Sequence, residues 1–202
     1  MRRVLLASRN PGKLLELRPL FTNHGIEVVD LLDAGVVERP EEDALESFDT
    51  FEANALAKAR YFFERSGGVP TVADDSGLQV AALGGEPGVH SKRWSGRDDL
   101  GRAALDAANN DKLVRALAGI TDRRARYVCA AAYVDAGREL VRRGETVGVV
   151  VDVPRGSGGF GYDPHFESLD IGATFGEATI EEKERVSHRG RAFRALLAAL
   201  GE

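Results

Sequence analysis

The chain has 202 residues, 43% hydrophobic and 29% charged, which is enough for a globular protein to bury a real core. Its 27 Lys and Arg against 32 Asp and Glu leave a formal net charge of −5, so the overall field does not favour nucleic acid, and a polyanionic ligand would need a local basic cluster. Cys129 is the only cysteine, which excludes an intrachain disulfide and fits a reducing compartment, and no apolar run reaches the length of a membrane span. We expect a single domain over residues 1–202, cytoplasmic, with no membrane and no nucleic acid among its partners. The run Val4-Leu5-Leu6-Ala7 behind Arg2-Arg3 is too short for a signal segment.

Residues 3–7 read as a buried strand, parallel if the apolar run is taken at face value. Ser8-Arg9-Asn10-Pro11-Gly12-Lys13 follows, and Leu14, Leu15, Leu17, Leu20 and Phe21 then recur at helical spacing. This loop therefore joins a strand to a helix N-terminus, where free N–H groups and the helix dipole attract phosphate. It is not a P-loop, because Leu14 stands where that motif needs Ser or Thr; an ordinary capped turn would use the same residues. Residues 26–30 read as a second strand. Residues 36–49 are acidic and irregular, and most of their carboxylates are expected on a solvated face.

Residues 50–65 form the clearest helix, capped by Asp49 or Thr50, with Phe51, Ala55, Ala59 and Phe62 as its core stripe. Thr50, Asn54 and Lys58 share another face, which either points at an anion or is simply solvated. Ser66-Gly67-Gly68 ends this helix, and Pro70 opens the stretch Thr71-Val72-Ala73-Asp74-Asp75-Ser76-Gly77-Leu78. A short apolar strand is expected there, stopping on two adjacent carboxylates. Two acids at the end of a buried strand are costly to desolvate unless a cation or donors meet them, and strand ends are where α/β proteins place ligands. A polar turn is the plainer alternative.

Residues 78–83 are expected to continue the sheet, followed by a tight loop at Gly84-Gly85-Glu86-Pro87-Gly88 and a basic stretch around His90 and Trp94. Residues 98–117 read as helical, weakened at the start by Gly101. Residues 126–134 and 139–151 read as long strands joined by a turn at Asp135-Ala136-Gly137. The loop Arg155-Gly156-Ser157-Gly158-Gly159-Phe160-Gly161-Tyr162-Asp163-Pro164 is rich in glycine around two aromatics; Phe160 either stacks on something flat or folds inward. A short polar helix over 181–186 precedes a last helix with the stripe Ala192, Phe193, Leu196, Leu197 and Leu200. Ser187, His188 and Arg189 fall at its N-terminus, where the dipole disfavours positive charge unless an anion or electron-rich edge lies there.

Several of these stretches, in this order, resemble the Ham1/inosine triphosphate pyrophosphatase family. They are Ser8-Arg9-Asn10-Pro11-Gly12-Lys13, Thr50-Phe51-Glu52-Ala53-Asn54-Ala55 with Lys58, Ala73-Asp74-Asp75-Ser76-Gly77-Leu78, Pro87-Gly88-Val89-His90-Ser91-Lys92-Arg93-Trp94, Phe160-Gly161-Tyr162-Asp163-Pro164, Lys183 and Ser187-His188-Arg189. One departure is plain: Ala53 stands before Asn54 where the family usually has Glu, and Glu52 lies one place earlier.

The resemblance implies an α/β fold with an elongated mixed β-sheet flanked by helices, two lobes and a central nucleotide cleft. It also implies a homodimer, Mg2+ dependence, and hydrolysis of non-standard purine nucleoside triphosphates to monophosphate and pyrophosphate. Carried over residue by residue, it makes Asp75 the catalytic carboxylate that orients or deprotonates the attacking water and, with Glu46, the metal holder; Asp74 is the alternative to Asp75. Lys13, Lys58 and Asn10, with Ser8 and Ser76, would clamp the phosphates, and Arg9, Pro11 and Gly12 of the same loop would also be substrate-binding. Phe160, Gly161, Tyr162, Asp163, Lys183, His188 and Arg189 would take the base, with His188 and Arg189 donating to a 6-keto oxygen. A Maf-like pyrophosphatase with another base preference, or a nucleotide-binding module without hydrolysis, are the competing readings.

Overall fold

The computed structural model describes residues 2–97 and 99–201. Seven strands form one mixed sheet: β1 (Arg2–Leu6), β2 (Ile26–Asp30), β3 (Thr71–Val80), β4 (Arg124–Val134), β5 (Glu139–Val150), β6 (Phe166–Ser168) and β7 (Ala173–Thr174), in the order β2-β1-β3-β4-β5-β6-β7. β1 pairs in parallel with β2 and β3, whereas β5–β6 and β6–β7 are antiparallel. The helices are α1 (Pro11–Asn23), α2 (Phe51–Arg65), α3 (Arg102–Ala116), α4 (Ile180–Val186) and α5 (His188–Gly201). Short 3-10 helices lie between them, among them Pro40–Glu46 inside the acidic stretch. No described helix is long and apolar enough to cross a membrane.

The chain divides into two compact units. The first comprises Met1–Asp75, Cys129–Gly144 and Arg189–Glu202. Its core joins Val4, Leu6, Val72, Cys129, Ala131 and Tyr133 of the sheet to Leu17, Leu20 and Phe21 of α1 and Phe193, Leu196 and Leu200 of α5. The strand residues in this cluster alternate along each strand, so they share one sheet face, which α1 and α5 cover. Phe21 meets Phe193 edge to face, with centroids 5.7 Å apart. α2 begins at its cap, where the Thr50 side chain accepts the Ala53 N–H at 3.2 Å, and it buries Phe51, Ala55, Ala59 and Phe62.

The second unit comprises Ser76–Val128 and Glu145–His188. Leu78, Val80, Leu113, Leu117, Val150 and Val186 pack there around Tyr127, Phe166 and Phe175. Its helix α3 starts only after Gly101, which serves as the N-cap, because glycine inside a helix costs about 1 kcal/mol. The expected start at Asp98 lies outside the described residues.

Two expectations about β3 need correction. The strand does not stop at Asp74 and Asp75 but runs on to Val80, and residues 81–83 form a 3-10 turn rather than sheet. The reason is lateral: side chains from neighbouring helices meet both acids, so the backbone has no need to turn away and hydrate them. The hairpin at 135–138 forms as expected, with Asp135 Oδ1 accepting the N–H groups of Gly137 and Arg138. The strand pair β6 and β7 was not anticipated; at three and two residues, these strands carry too little pattern to read.

Candidate active site

In the first unit, the β1–β3 register brings the loop after β1 beside the acids. Leu6 pairs with Val72, and the Ala7 N–H donates to the Val72 carbonyl at 2.8 Å. The chain then turns into α1. Asn10 caps the helix by accepting the Gly12 N–H at 2.9 Å, Ser8 Oγ accepts the Asn10 N–H at 3.2 Å, and Pro11 takes the first helical position. Lys13, in the first turn, reaches Asp74 Oδ2 at 2.9 Å. Arg9 points elsewhere, forking onto Glu42 at 2.7 and 2.9 Å and donating to the Val36 carbonyl at 3.2 Å. It thereby ties this loop to the 3-10 helix that ends at Glu46.

Asp74 and Asp75 are consecutive residues of one strand, so their side chains leave on opposite faces. Asp74 faces α1 and α5: besides Lys13, the Arg189 Nε donates to its Oδ2 at 3.2 Å, and the same guanidinium holds Glu16 Oε2 at 2.5 Å. Asp75 faces α2, where Asn54 Nδ2 donates to its Oδ2 at 2.8 Å. Asn54 is fully buried and fixed from behind, its Oδ1 accepting the Phe48 N–H and its Nδ2 also donating to the Phe48 carbonyl. One turn along the same helix, Lys58 Nζ donates to Glu46 Oε1 at 2.5 Å. The stripe Thr50, Asn54 and Lys58 is therefore a cap, a carboxylate clamp and a half-buried, ion-paired cation rather than a solvated face.

The surroundings drive the two acids apart. Burial pushes the Asp74 carboxyl up, but Lys13, Arg189 and Lys58 outweigh it and hold the group well below the usual carboxylate range. For Asp75 burial wins: with Glu46 adding its own negative charge against the pull of Lys58 and Lys13, the carboxyl rises to about 6. Burial also opposes the charge on Lys58, yet Glu46, Asp74 and Asp75 together raise it. A neighbouring pair with one fixed anion and one group that takes up protons near neutrality is the pattern of an acid–base site. Asp74 Oδ1 is buried with no hydrogen-bond partner among the described residues.

Among the described residues no group of three or more His, Cys, Asp or Glu is arranged to cage a metal. Glu46 and Asp75 nonetheless lie close enough for one to raise the other. Carboxylate oxygens are the donors that a small, hard divalent cation takes, with water and phosphate oxygens completing its shell.

The second unit holds the other cluster. Phe160 lies between Gly159 and Gly161, both at positive φ (71° and 64°), and its N–H donates to Asp163 Oδ2 at 2.8 Å. Lys183 Nζ donates to the same oxygen at 2.6 Å and sits 5.0 Å from the Phe160 ring centroid. A Cβ on Gly159 would collide with the Asp163 carboxylate, so the loop closes only with glycine there. The His188 ring is stacked on Tyr127, with centroids 4.5 Å apart and planes 9° from parallel. Lys183 and His188 are both buried donors, 5% and 3% exposed, in a partly apolar setting. Tyr162 is buried as well, its hydroxyl donating to the Ser91 carbonyl at 2.9 Å, and burial and Asp106 raise its pKa.

Lys13, Lys58, Glu46, Asp74 and Asp75 thus gather in one unit, and Phe160, Asp163, Lys183 and His188 in the other. Three expected positions differ from the roles given them. Arg189, expected beside His188 on a base edge, has its guanidinium on Asp74 and Glu16. Arg9 braces the acidic stretch, and Tyr162 anchors its loop inward. Ser76 is half-buried on β3, one place past Asp75. Glu52, the displaced acid of the second motif, is paired with Arg143 of β5 at 2.9 Å. Glu16 was missed, although its place one helical turn after Lys13 on α1 was visible in the sequence.

A family profile described as the Ham1 family matches residues 4–199. A dITP/XTP pyrophosphatase from Burkholderia pseudomallei is 49% identical over 203 aligned positions, which cover 99% of this chain and 94% of that protein. One from Mycobacterium bovis is 48% identical, with 98% and 95% covered. The structure of a HAM1 protein from Coxiella burnetii superposes with a TM-score of 0.83 at 34% identity, covering 100% of this chain and 99% of that one.

Proposed function

The chain belongs to the Ham1 family, and we propose that it hydrolyses non-standard purine nucleoside triphosphates, dITP, ITP and XTP, to the monophosphate and pyrophosphate. The reaction, NTP + H2O → NMP + PPi, would cleanse the nucleotide pool of the cytoplasm. The observation that carries this reading is the split between two adjacent buried carboxylates, one held ionised by Lys13 and Arg189, the other raised to about 6. The triphosphate brings about four negative charges, so its cleavage depends on positioning and neutralisation.

Asp75 is the proposed base: it takes a proton from the attacking water, and Asn54 fixes its orientation. Lys13 and Lys58, now paired with Asp74 and Glu46, would donate to phosphate oxygens, helped by Ser8, Asn10, Gly12 and Ser76 around the α1 N-terminus and β3. Glu46 and Asp75 would hold Mg2+, which when bound neutralises phosphate charge. Arg189 serves this scheme through Asp74, keeping it ionised.

Phe160 would stack on the purine, and the buried donors His188 and Lys183 would meet its 6-keto edge. Adenine carries an amino donor at that position and would leave them unpaired, a mismatch that discriminates by roughly 10⁴-fold in sites of this kind. The test is kcat/KM for ITP, XTP and ATP; comparable values for ATP and ITP would contradict the edge reading. A homodimer is part of the same proposal, and light scattering that showed a monomer at working concentration would remove it.

A further inference from the structure

Arg102, Asp106 and Asn110 recur every four residues on α3 and so share one stripe. All three reach the dipeptide Phe160-Gly161. Asp106 Oδ2 accepts the Gly161 N–H at 3.0 Å, Asn110 Nδ2 donates to the Gly161 carbonyl at 3.0 Å, and Arg102 Cζ lies 5.7 Å from the Phe160 ring centroid. The N–H that Asp106 holds belongs to the peptide after Phe160, and Asp163 holds the peptide before it. Both planes flanking the Phe160 Cα are therefore fixed, and the ring keeps only its side-chain torsions. Asn110 makes its contact although its Oδ1 is buried with no hydrogen-bond partner among the described residues. An orphaned buried acceptor is a cost that packing alone does not require, since an apolar side chain would fill the space without it.

We propose that Asp106 and Asn110 are positioning residues for substrate selectivity: they grip Gly161 from α3 and so aim the Phe160 ring at the base. This rests on the reading of Phe160 as the stacking platform. A loosened ring lets the base shift against His188 and Lys183, so keto-purines lose hydrogen bonds that adenine never had. The expected loss is selective, and a merely structural role would lower both substrates alike.

The experiment is steady-state kinetics with ITP and ATP on Asp106→Ala, Asn110→Ala, Asp106→Asn and Phe160→Ala, with Asp106→Ala also made in the Phe160→Ala background. Each alanine variant should raise KM for ITP about tenfold, the scale of a lost hydrogen bond to a charged or polar partner. The kcat should stay within about twofold, and the ITP/ATP ratio of kcat/KM should fall. Asp106→Asn keeps an acceptor oxygen and should recover most of the loss. In the Phe160→Ala background, Asp106→Ala should add nothing. Equal losses for ITP and ATP, full additivity with Phe160→Ala, or unchanged KM in both alanine variants would overturn the inference while leaving the platform reading intact. If Phe160→Ala itself leaves KM for ITP unchanged, the platform reading fails and this inference falls with it. Should Asp106→Ala not fold, Asn110→Ala, alone and in the Phe160→Ala background, carries the same comparison.

Discussion

Asp74 and Asp75 differ by one step along β3 and by what reaches them, and the difference fixes opposite responses to substitution. For Asp75 the folded carboxyl rises from 3.8 to about 6. The stability of its neutral form is thus fully present below about pH 4 and is lost as pH rises through about 6. Without metal, Asp75→Asn should therefore be more stable than the parent at pH 7.5, by up to about 3 kcal/mol, and no more stable at pH 3.5. The same variant should lose at least about 10²-fold in kcat, the low end for a general base. Asp74 has the opposite sign: its depressed carboxyl stabilises the fold above the ordinary carboxylate range and ceases to do so as acid protonates it. Asp74→Asn should destabilise at pH 7.5 by about 3 kcal/mol, because Lys13 and Arg189 lose their buried counter-charge. Thermal denaturation of both variants at the two pH values checks the pair; equal shifts of the same sign would contradict it. The sequence displayed the two acids but not their partners: Arg189 is 115 residues from Asp74 and Lys13 is 61, separations that no local spacing encodes.

At the scale of elements, legibility followed periodicity. α2 was readable in full, since its apolar stripe, its cap and its Thr50-Asn54-Lys58 face all follow from a 3.6-residue period, although period alone left that face either anion-binding or solvated. Thr50→Ala should cost about 1 kcal/mol in urea denaturation and leave KM for ITP unchanged, as befits a cap whose bond goes to the Ala53 N–H. β3 runs past the strand end that its charge pair suggests, because Lys13 and Asn54, on other elements, meet the two acids. The 160–163 loop was recognised by its glycines, but the use of each one depends on tertiary contact. Gly159 is the demanding one, at φ 71° with the Asp163 carboxylate where its Cβ would be. Gly159→Ala should raise KM for ITP at least about tenfold by displacing the Asp163–Phe160 contact, while the bond that is cut stays the same. A normal KM in that variant would separate the loop geometry from base binding.

For the molecule as a whole, the net charge of −5 means that a polyanion needs a local basic cluster, and the fold supplies a cluster of cations in one unit and a buried lysine in the other. Lys13, Lys58 and Arg189 are spent on carboxylates in one unit, and Lys183 is set against Asp163 and Phe160 in the other. The motifs in family order conveyed that division, and the match over residues 4–199 bears out the family. Composition and periodicity could convey neither that Arg189 belongs with the acids nor that α3 reaches the Phe160 loop, because both depend on chain segments that meet only in the fold. The measurement that bears most directly on the account is phosphate accounting with ITP, XTP, dITP, GTP and ATP, with and without Mg2+. The account predicts pyrophosphate and monophosphate in equal amounts from ITP, XTP and dITP but not from ATP, and only with the metal present. Release of orthophosphate with a nucleoside diphosphate would place the attack at the γ-phosphorus and contradict the proposed reaction.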